Sequence, residues 1–112
     1  MQSVSSNAVA NELEWKVLNG NNINNISSGK EVAISVWFRN SANLEILYSK
    51  TFAIGMLDLT ITQNVFLDGY YLSSSDYGLC NITNTSGVLT IRNVYYGGVN
   101  YTNTANMKIR YR

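Results

Sequence analysis

The pattern of hydrophobic and polar residues changes its period once along this chain of 112 residues. In residues 3–13, Val9 and Leu13 are four positions apart, alanines surround Val9, and several serines precede it. This arrangement predicts a short helix that begins at a serine cap. After it, hydrophobic residues recur at every second position, which is the period of a β-strand with one buried face. We therefore predict a helical segment at 1–13 and a β-domain over 14–112.

The clearest strand pattern lies in residues 30–39, where one face is entirely hydrophobic. The residues predicted to face the core are Val32, Ile34, Val36 and Phe38, and those predicted on the other face are Glu31, Ala33, Ser35 and Trp37. A second long strand, or a bent pair of strands, is predicted at 44–54. Residues 57–63 also alternate, which predicts a half-buried strand with Leu57, Leu59 and Ile61 pointing inward.

Turn signals divide the rest of the chain into short segments. The Asp68-Gly69 pair is predicted to close a two-residue hairpin in which Leu67 lies opposite Tyr70. Gly97-Gly98 is predicted to form a second tight turn. About eight strands with turn signals at intervals of roughly ten residues predict an all-β fold, an antiparallel β-sandwich of jelly-roll type preceded by the short helix. The polar loop at 19–29 carries two isoleucines, which are expected to anchor it.

Composition narrows the range of functions. Charged residues make up 13% of the chain and the net charge is +1, so no global field attracts a polyanion and nucleic-acid binding has no compositional support. Asn, Ser and Thr are abundant, as in many extracellular and virion β-proteins. Cys80 is the single cysteine, which excludes an intrachain disulfide, and we expect its thiol to be buried. The absence of histidine removes the commonest general base.

The carboxylates show no catalytic or metal-binding arrangement. Asp58, Asp68 and Asp76 lie at predicted turns, where Asp is a common turn former. A glycosidase needs two carboxylates that face each other across a cleft, and the spacing indicates no such pair. No run of alternating oxygen ligands suggests a calcium site. We expect a protein that is not an enzyme and that uses neither a metal nor a cofactor.

Two tyrosine pairs are the most distinctive candidates for ligand binding. Tyr70-Tyr71 and Tyr95-Tyr96 each lie beside a predicted hairpin tip, and adjacent strand residues point to opposite faces, so one of each pair is expected in the core. An exposed tyrosine near Asn and Asp suits a sugar, because the ring stacks on the apolar sugar face while amides bond the hydroxyl groups. Ordinary cross-strand packing and an oligomer interface are the alternatives.

Basic residues alternate along the last predicted strand. Lys108, Arg110 and Arg112 project to one side of it. One interpretation is a solvated edge strand whose charges prevent association with other strands. The other is a basic stripe that binds an anionic glycan such as a teichoic acid.

The segment VSSNAVANEL, at residues 4–13, resembles a short element of tail-fibre and baseplate receptor-binding proteins from tailed phages and prophages. The shared pattern is roughly V-[ST]-S-x-A-V-x-x-x-L, and it often precedes a C-terminal domain. The matching residues are Val4, Ser5, Ser6, Ala8, Val9 and Leu13. The resemblance covers about ten residues.

This resemblance implies a C-terminal tip or head domain at the end of a stalk. Equivalent helices from three chains would pack around a three-fold axis, with Val9 and Leu13 facing that axis. The domain would then bind host cell-surface carbohydrate as a homotrimer, on the virion tail tip or another extracellular surface. A structural trimerisation or assembly module of a fibre, a bacterial carbohydrate-binding or adhesion module, and a helix folded back on its own sandwich are the alternatives.

Overall fold

The computed structural model describes residues 14–69, the backbone of residues 78–82, and residues 87–112. The predicted helix, with Val9 and Leu13, lies outside the described residues, as does the Tyr70-Tyr71 pair. The described residues form nine strands: β1 Lys16–Val17, β2 Glu31–Arg39, β3 Glu45–Ala53, β4 Gln63–Leu67, β5 Gly78–Ile82, β6 Leu89–Arg92, β7 Tyr95–Tyr96, β8 Val99–Asn100 and β9 Asn106–Tyr111. A single 3-10 turn, Ile54–Met56, follows β3 within the described ranges. The prediction of a mostly β fold with antiparallel sheets is confirmed.

The main sheet has four antiparallel strands in the order β1-β9-β2-β3. Strands β2 and β3 form a long hairpin that pairs Glu31 with Ala53 at one end and Arg39 with Glu45 at the other. The alternation predicted for β2 is confirmed, because its four predicted core residues are all buried while the opposite face is half-buried or exposed. The last strand, β9, lies between β1 and β2, so it is an interior strand of this sheet.

The remaining strands form a three-stranded sheet in the order β4-β5-β6 and the two-stranded hairpin β7-β8. In that hairpin Gly97 and Gly98 have φ angles of 58° and 75°. Two successive residues with positive φ are what a tight type I′ turn requires, and glycine adopts them without a steric penalty. The predicted turn at this position is confirmed.

The predicted hairpin at Asp68-Gly69 is wrong. Leu67 pairs with Gly78 rather than with Tyr70, because β4 continues its pairing with β5. Asp68 instead exchanges two backbone hydrogen bonds of 2.8 Å with Ser49 of β3. This pairing links the three-stranded sheet to the edge of the four-stranded sheet, so the dipeptide serves as a bridge and not as a hairpin tip.

The predicted strand at 57–63 is also wrong over most of its length, since β4 begins only at Gln63. The carboxylate of Asp58 accepts a hydrogen bond of 3.0 Å from the backbone N–H of Thr60. The N–H of Ile61 then bonds the carbonyl of Asp58, and the Ile61 side chain remains 51% exposed. A side chain that satisfies nearby backbone groups favours a turn over a strand, which overrides the alternation.

The buried hydrophobic residues form one cluster, to which both of the larger sheets contribute. It includes Val32, Ile34 and Val36 from β2 and Ile109 from β9. Leu67 of β4 and Leu89 of β6 belong to the same cluster. The predicted anchoring of the 19–29 loop is confirmed, because both of its isoleucines, Ile23 and Ile26, are buried in this core.

Candidate functional site

A groove of about 600 Å³ lies at the end of the four-stranded sheet where β2 ends and β9 begins. Its wall comes from the ends of β2 and β3 on one side and from the segment that joins β8 to β9 on the other. The lining residues are Trp37, Phe38, Arg39, Glu45, Asn100, Tyr101, Thr104 and Asn106. The groove therefore combines aromatic rings, amides, hydroxyl groups and one residue of each charge.

Two of the aromatic rings that line the groove are stacked on each other. The Phe38 ring, only 2% exposed, lies parallel to the Tyr101 ring, with their centroids 4.5 Å apart and their planes at 19°. Tyr48 and Tyr96 contact the same phenylalanine, at 6.1 and 6.4 Å. Because such rings are large and have few rotatable bonds, they make this part of the groove lining rigid and apolar.

The turn between β2 and β3 positions the charged pair. The side-chain oxygen of Asn40 accepts hydrogen bonds from the N–H groups of Ala42 and Leu44, at 3.0 and 2.9 Å. This closed turn brings the carbonyl of Asn43 to 3.1 Å from the guanidinium of Arg39. A second nitrogen of that guanidinium is 4.0 Å from the Glu45 carboxylate, and both side chains are more than half exposed. The pair is oriented by the turn and leaves donors and acceptors open to solvent.

The opposite wall is tied to the core through Val94, which is fully buried. Its carbonyl accepts a bond of 2.7 Å from the N–H of Tyr101, and its own N–H donates to the Thr102 hydroxyl at 2.9 Å. The amide oxygen of Asn100 accepts from the N–H of Thr102. The hydroxyl of Thr104 donates to the Tyr101 carbonyl at 3.1 Å. These hydrogen bonds hold the wall in one conformation. A wall that is already ordered loses little conformational entropy when a ligand binds.

The outer face of the four-stranded sheet begins at this groove. We use "outer face" for the side of β9, β2 and β3 that points away from the core, which carries Asn106, Lys108, Arg110, Trp37, Ser35, Ala33, Leu47, Ser49 and Thr51. Trp37 is the central residue of its first row, with Asn106 beside it on β9 and Leu47 beside it on β3. A half-buried indole next to an amide suits a sugar ring, because the indole contacts the C–H groups of the sugar and the amide forms hydrogen bonds with its hydroxyl groups.

Tyr95 and Tyr96, one of the two pairs predicted for ligand binding, are not among the residues that line this groove. Tyr96 packs against the core, with its ring at 60° to that of Phe38. Tyr95 lies beside it, is half-buried, and its carbonyl accepts a hydrogen bond of 2.9 Å from the Tyr48 hydroxyl. The other predicted pair, Tyr70 and Tyr71, lies outside the described residues.

The interpretation of the last strand as a solvated edge is wrong at Arg110, which pairs with Val17 of β1 as well as with Ala33 of β2. Lys108 lies in the part of β9 that pairs with β2 alone. Arg112 is engaged at the far end of the strand, where its guanidinium lies 4.3 Å from the centre of the Trp15 ring and 3.5 Å from the Glu31 carboxylate.

Sequence reasoning missed most of the groove. Its residues come from positions 37–45 and 100–106, and nothing in the sequence indicates that these two segments meet. One signal was present: Trp37 occupies a position where the alternation of β2 calls for a small or polar residue. A large aromatic side chain on an otherwise polar strand face marks a candidate binding surface.

Two absences hold for the described residues. Among these residues no helix is both long and apolar enough to cross a membrane. The same residues contain no cluster of three or more His, Cys, Asp or Glu side chains placed to hold a metal ion. Comparison of the chain with family models, curated proteins and solved structures finds no match.

Proposed function

We propose that this chain is a non-enzymatic carbohydrate-binding domain at the tip of a phage or prophage tail fibre, and that it binds host cell-surface glycan in the groove at the end of the four-stranded sheet. The observation that carries the proposal is the composition of that groove. In this groove the half-buried Trp37 lies beside Asn106, and Arg39 and Glu45 lie at the rim. The phage context rests on the resemblance of residues 4–13 alone.

The chemistry of the groove matches the needs of a pyranose ring. A sugar presents an apolar C–H face, which packs on an aromatic ring, and a rim of hydroxyl groups, which both donate and accept. Arg39 supplies donors, Glu45 supplies acceptors, and the amides of Asn100 and Asn106 supply both. The side chains are exposed and the groove is open, so a single site binds weakly, which is typical of shallow polar contacts with water on one side.

Trimerisation would raise this weak binding to a useful avidity. Three linked sites convert the second and third binding events into intramolecular ones. We propose that Val9 and Leu13 form the trimer contact and that the two larger sheets form the layers of a jelly-roll-like sandwich. The shared core of β2, β9, β4 and β6 supports the layered arrangement.

A comparison of two tryptophan variants tests the proposed site. Both tryptophans are half-buried, but Trp15 contacts Arg112 at the opposite end of β9 from the groove. We expect Trp37→Ala to weaken glycan binding about tenfold, since an aromatic contact contributes on the order of 1 kcal/mol beyond its buried area. Trp15→Ala should leave binding unchanged. Binding is measured with a glycan array and then by isothermal titration calorimetry; a Trp37→Ala protein that binds as well as the unchanged chain would overturn the site.

An assembly module is the second candidate function, and one observation favours it. Leu47 of β3 is 53% exposed and lies beside Trp37 in the strand register, and Leu44 in the preceding turn is 62% exposed. Exposed apolar residues grouped with an aromatic ring also suit contact between subunits. In that case the intact oligomer would bind no glycan on the array, and Leu47→Asp would change its mass in solution.

A further inference from the structure

We propose that the glycan is an acidic polymer and that the outer face binds it as a continuation of the groove, with Lys108 and Arg110 contacting acidic groups on the units that follow the sugar in the groove. This inference rests on the proposed carbohydrate-binding function and specifies its ligand class.

The strand register makes the groove and the basic residues continuous. Asn106, which lines the groove, is followed on the same face of β9 by Lys108 and then by Arg110. Alternate residues of a strand are about 7 Å apart. The two cations therefore extend in a straight line from the groove along the sheet, which is the arrangement that an extended chain of repeating units would meet.

The surface beside these cations is flat. Lys108 lies next to Ser35 on β2, which lies next to Ser49 on β3. Arg110 lies next to Ala33, which lies next to Thr51. Small side chains across two adjacent rows leave a shallow track on the sheet, bounded at one end by the larger Trp37 and Leu47. A linear polymer can lie along such a track with its acidic groups toward β9.

Carboxylates on the same face do not neutralise the charges of Lys108 and Arg110. Glu45 is paired with Arg39 at one end, and Glu31 is paired with Arg112 at the other. Among the described residues, neither Lys108 nor Arg110 has an ion-pair partner. Since Arg110 pairs with β1 as well as with β2, edge protection does not account for its charge either. A local pair of uncompensated cations beside a sugar-binding groove is complementary to an anionic glycan.

The experiment compares acidic oligosaccharides with uncharged counterparts of the same sugars. An array carries glycans with uronate, sialyl or glycerol-phosphate groups, each beside its neutral form, together with a thymidine oligonucleotide as a general polyanion. The best acidic and neutral pair is then titrated in solution against the unchanged protein and four charge variants. Lys108→Gln and Arg110→Gln remove the track charges singly and together, and Lys16→Gln removes one exposed charge from β1.

We expect tighter binding of the acidic form, a loss of about threefold for each single track variant and about tenfold for the double variant, since exposed ion pairs are individually weak. Lys16→Gln should bind like the unchanged protein, and the preference for the acidic form should decline as salt rises from low to high concentration.

Equal binding of both forms, with Trp37 required, would overturn the acidic ligand and leave the proposed function standing. A preference for the acidic form that survives the double variant would overturn the role of the track. Tighter binding of the oligonucleotide than of any glycan would overturn the assignment to polysaccharide. An array without any bound glycan would overturn the proposed function itself.

Discussion

The ring of Tyr101 lies parallel to that of Phe38, with their centroids 4.5 Å apart, and this contact joins the wall of the groove to the core of the domain. Phe38 belongs to β2, whereas Tyr101 lies in the segment that leads into β9. The stack therefore determines how far apart the two walls of the groove stand. Any change that removes one ring should affect both the stability of the fold and the shape of the site.

Replacing Tyr101 tests this dependence. We expect Tyr101→Ala to lower the free energy of unfolding by about 2 to 3 kcal/mol, because it leaves a space beside the buried Phe38 ring. Glycan binding should fall in parallel. Tyr101→Phe keeps the stacked ring and should retain stability. Urea unfolding followed by intrinsic fluorescence gives the free energy of unfolding of both variants. Equal stability of the alanine and phenylalanine variants would contradict the structural role of the stack.

The turn between β2 and β3 should control the charged rim. Asn40→Ala removes the acceptor for two backbone N–H groups, and we expect it to lower the free energy of unfolding by about 1 kcal/mol. It should also weaken glycan binding roughly threefold, since Arg39 loses the fixed position of the Asn43 carbonyl.

Asn40→Asp keeps a side-chain oxygen at the same place and is the matched control. Its stability, measured by urea unfolding, should remain close to that of the unchanged protein. If the aspartate variant binds glycan as weakly as the alanine variant, the turn acts in some way other than by accepting these two hydrogen bonds.

The bridge between the sheets makes a prediction about Gly69. A Cβ atom at this position would overlap the ring of Tyr48, which is fully buried and unable to move aside. We expect Gly69→Ala to lower the free energy of unfolding by about 1 to 3 kcal/mol. Gly29→Ala is the control, because a Cβ there meets no atom within 4 Å. The melting temperatures of the two variants should differ clearly. Equal melting temperatures would show that the close contact between Gly69 and Tyr48 does not constrain the fold.

Asp58 should give the turn that replaces the predicted strand a measurable pH dependence. Hydrogen bonds from the Thr60 hydroxyl and then from its backbone N–H hold the pKa of the Asp58 carboxyl below its ordinary value. The charged form is therefore favoured in the folded protein. Its small contribution to stability is present above the unfolded pKa of about 3.9 and is lost as the pH falls through the folded pKa.

Removing the hydroxyl donor should raise that pKa. We expect Thr60→Ala to bring the pKa of Asp58 closer to its ordinary value, while Thr60→Ser keeps the hydroxyl and the lowered pKa. A carbon-detected NMR titration of the side-chain carboxyl measures both. An unchanged pKa in the alanine variant would show that the Thr60 side chain is not the main cause.

The trimer proposed from residues 4–13 is tested in the full chain. Val9→Asp with Leu13→Asp places charge on the proposed three-fold contact, and we expect it to convert a trimer to a monomer in light scattering after size-exclusion chromatography. Asn11→Asp adds charge on another side of the predicted helix and should leave the trimer intact, because residues two positions apart do not share a helix face. A monomeric unchanged protein would contradict the trimeric tip.

Local physical chemistry was sufficient for several elements of this fold. The alternation of hydrophobic and polar residues in β2 determined which face is buried, because successive side chains of a strand point to opposite faces of the sheet. Gly97-Gly98 determined a tight turn, because its two positive φ angles are accessible to glycine. The buried isoleucines Ile23 and Ile26 were predicted as anchors, because an apolar residue in a polar loop gains most by entering the core.

Only the tertiary structure decided which strands are neighbours, and with them the candidate site. The sequence around Asp68-Gly69 favours a local hairpin, yet β4 pairs with β5 and Asp68 exchanges two backbone hydrogen bonds with Ser49. Arg110 looks like an edge residue until its pairing with Val17 of β1 is seen. Trp37 and Asn106 are far apart in the chain and meet through the register of β2 with β9. Such long-range pairing depends on how the whole core packs, which no local pattern contains.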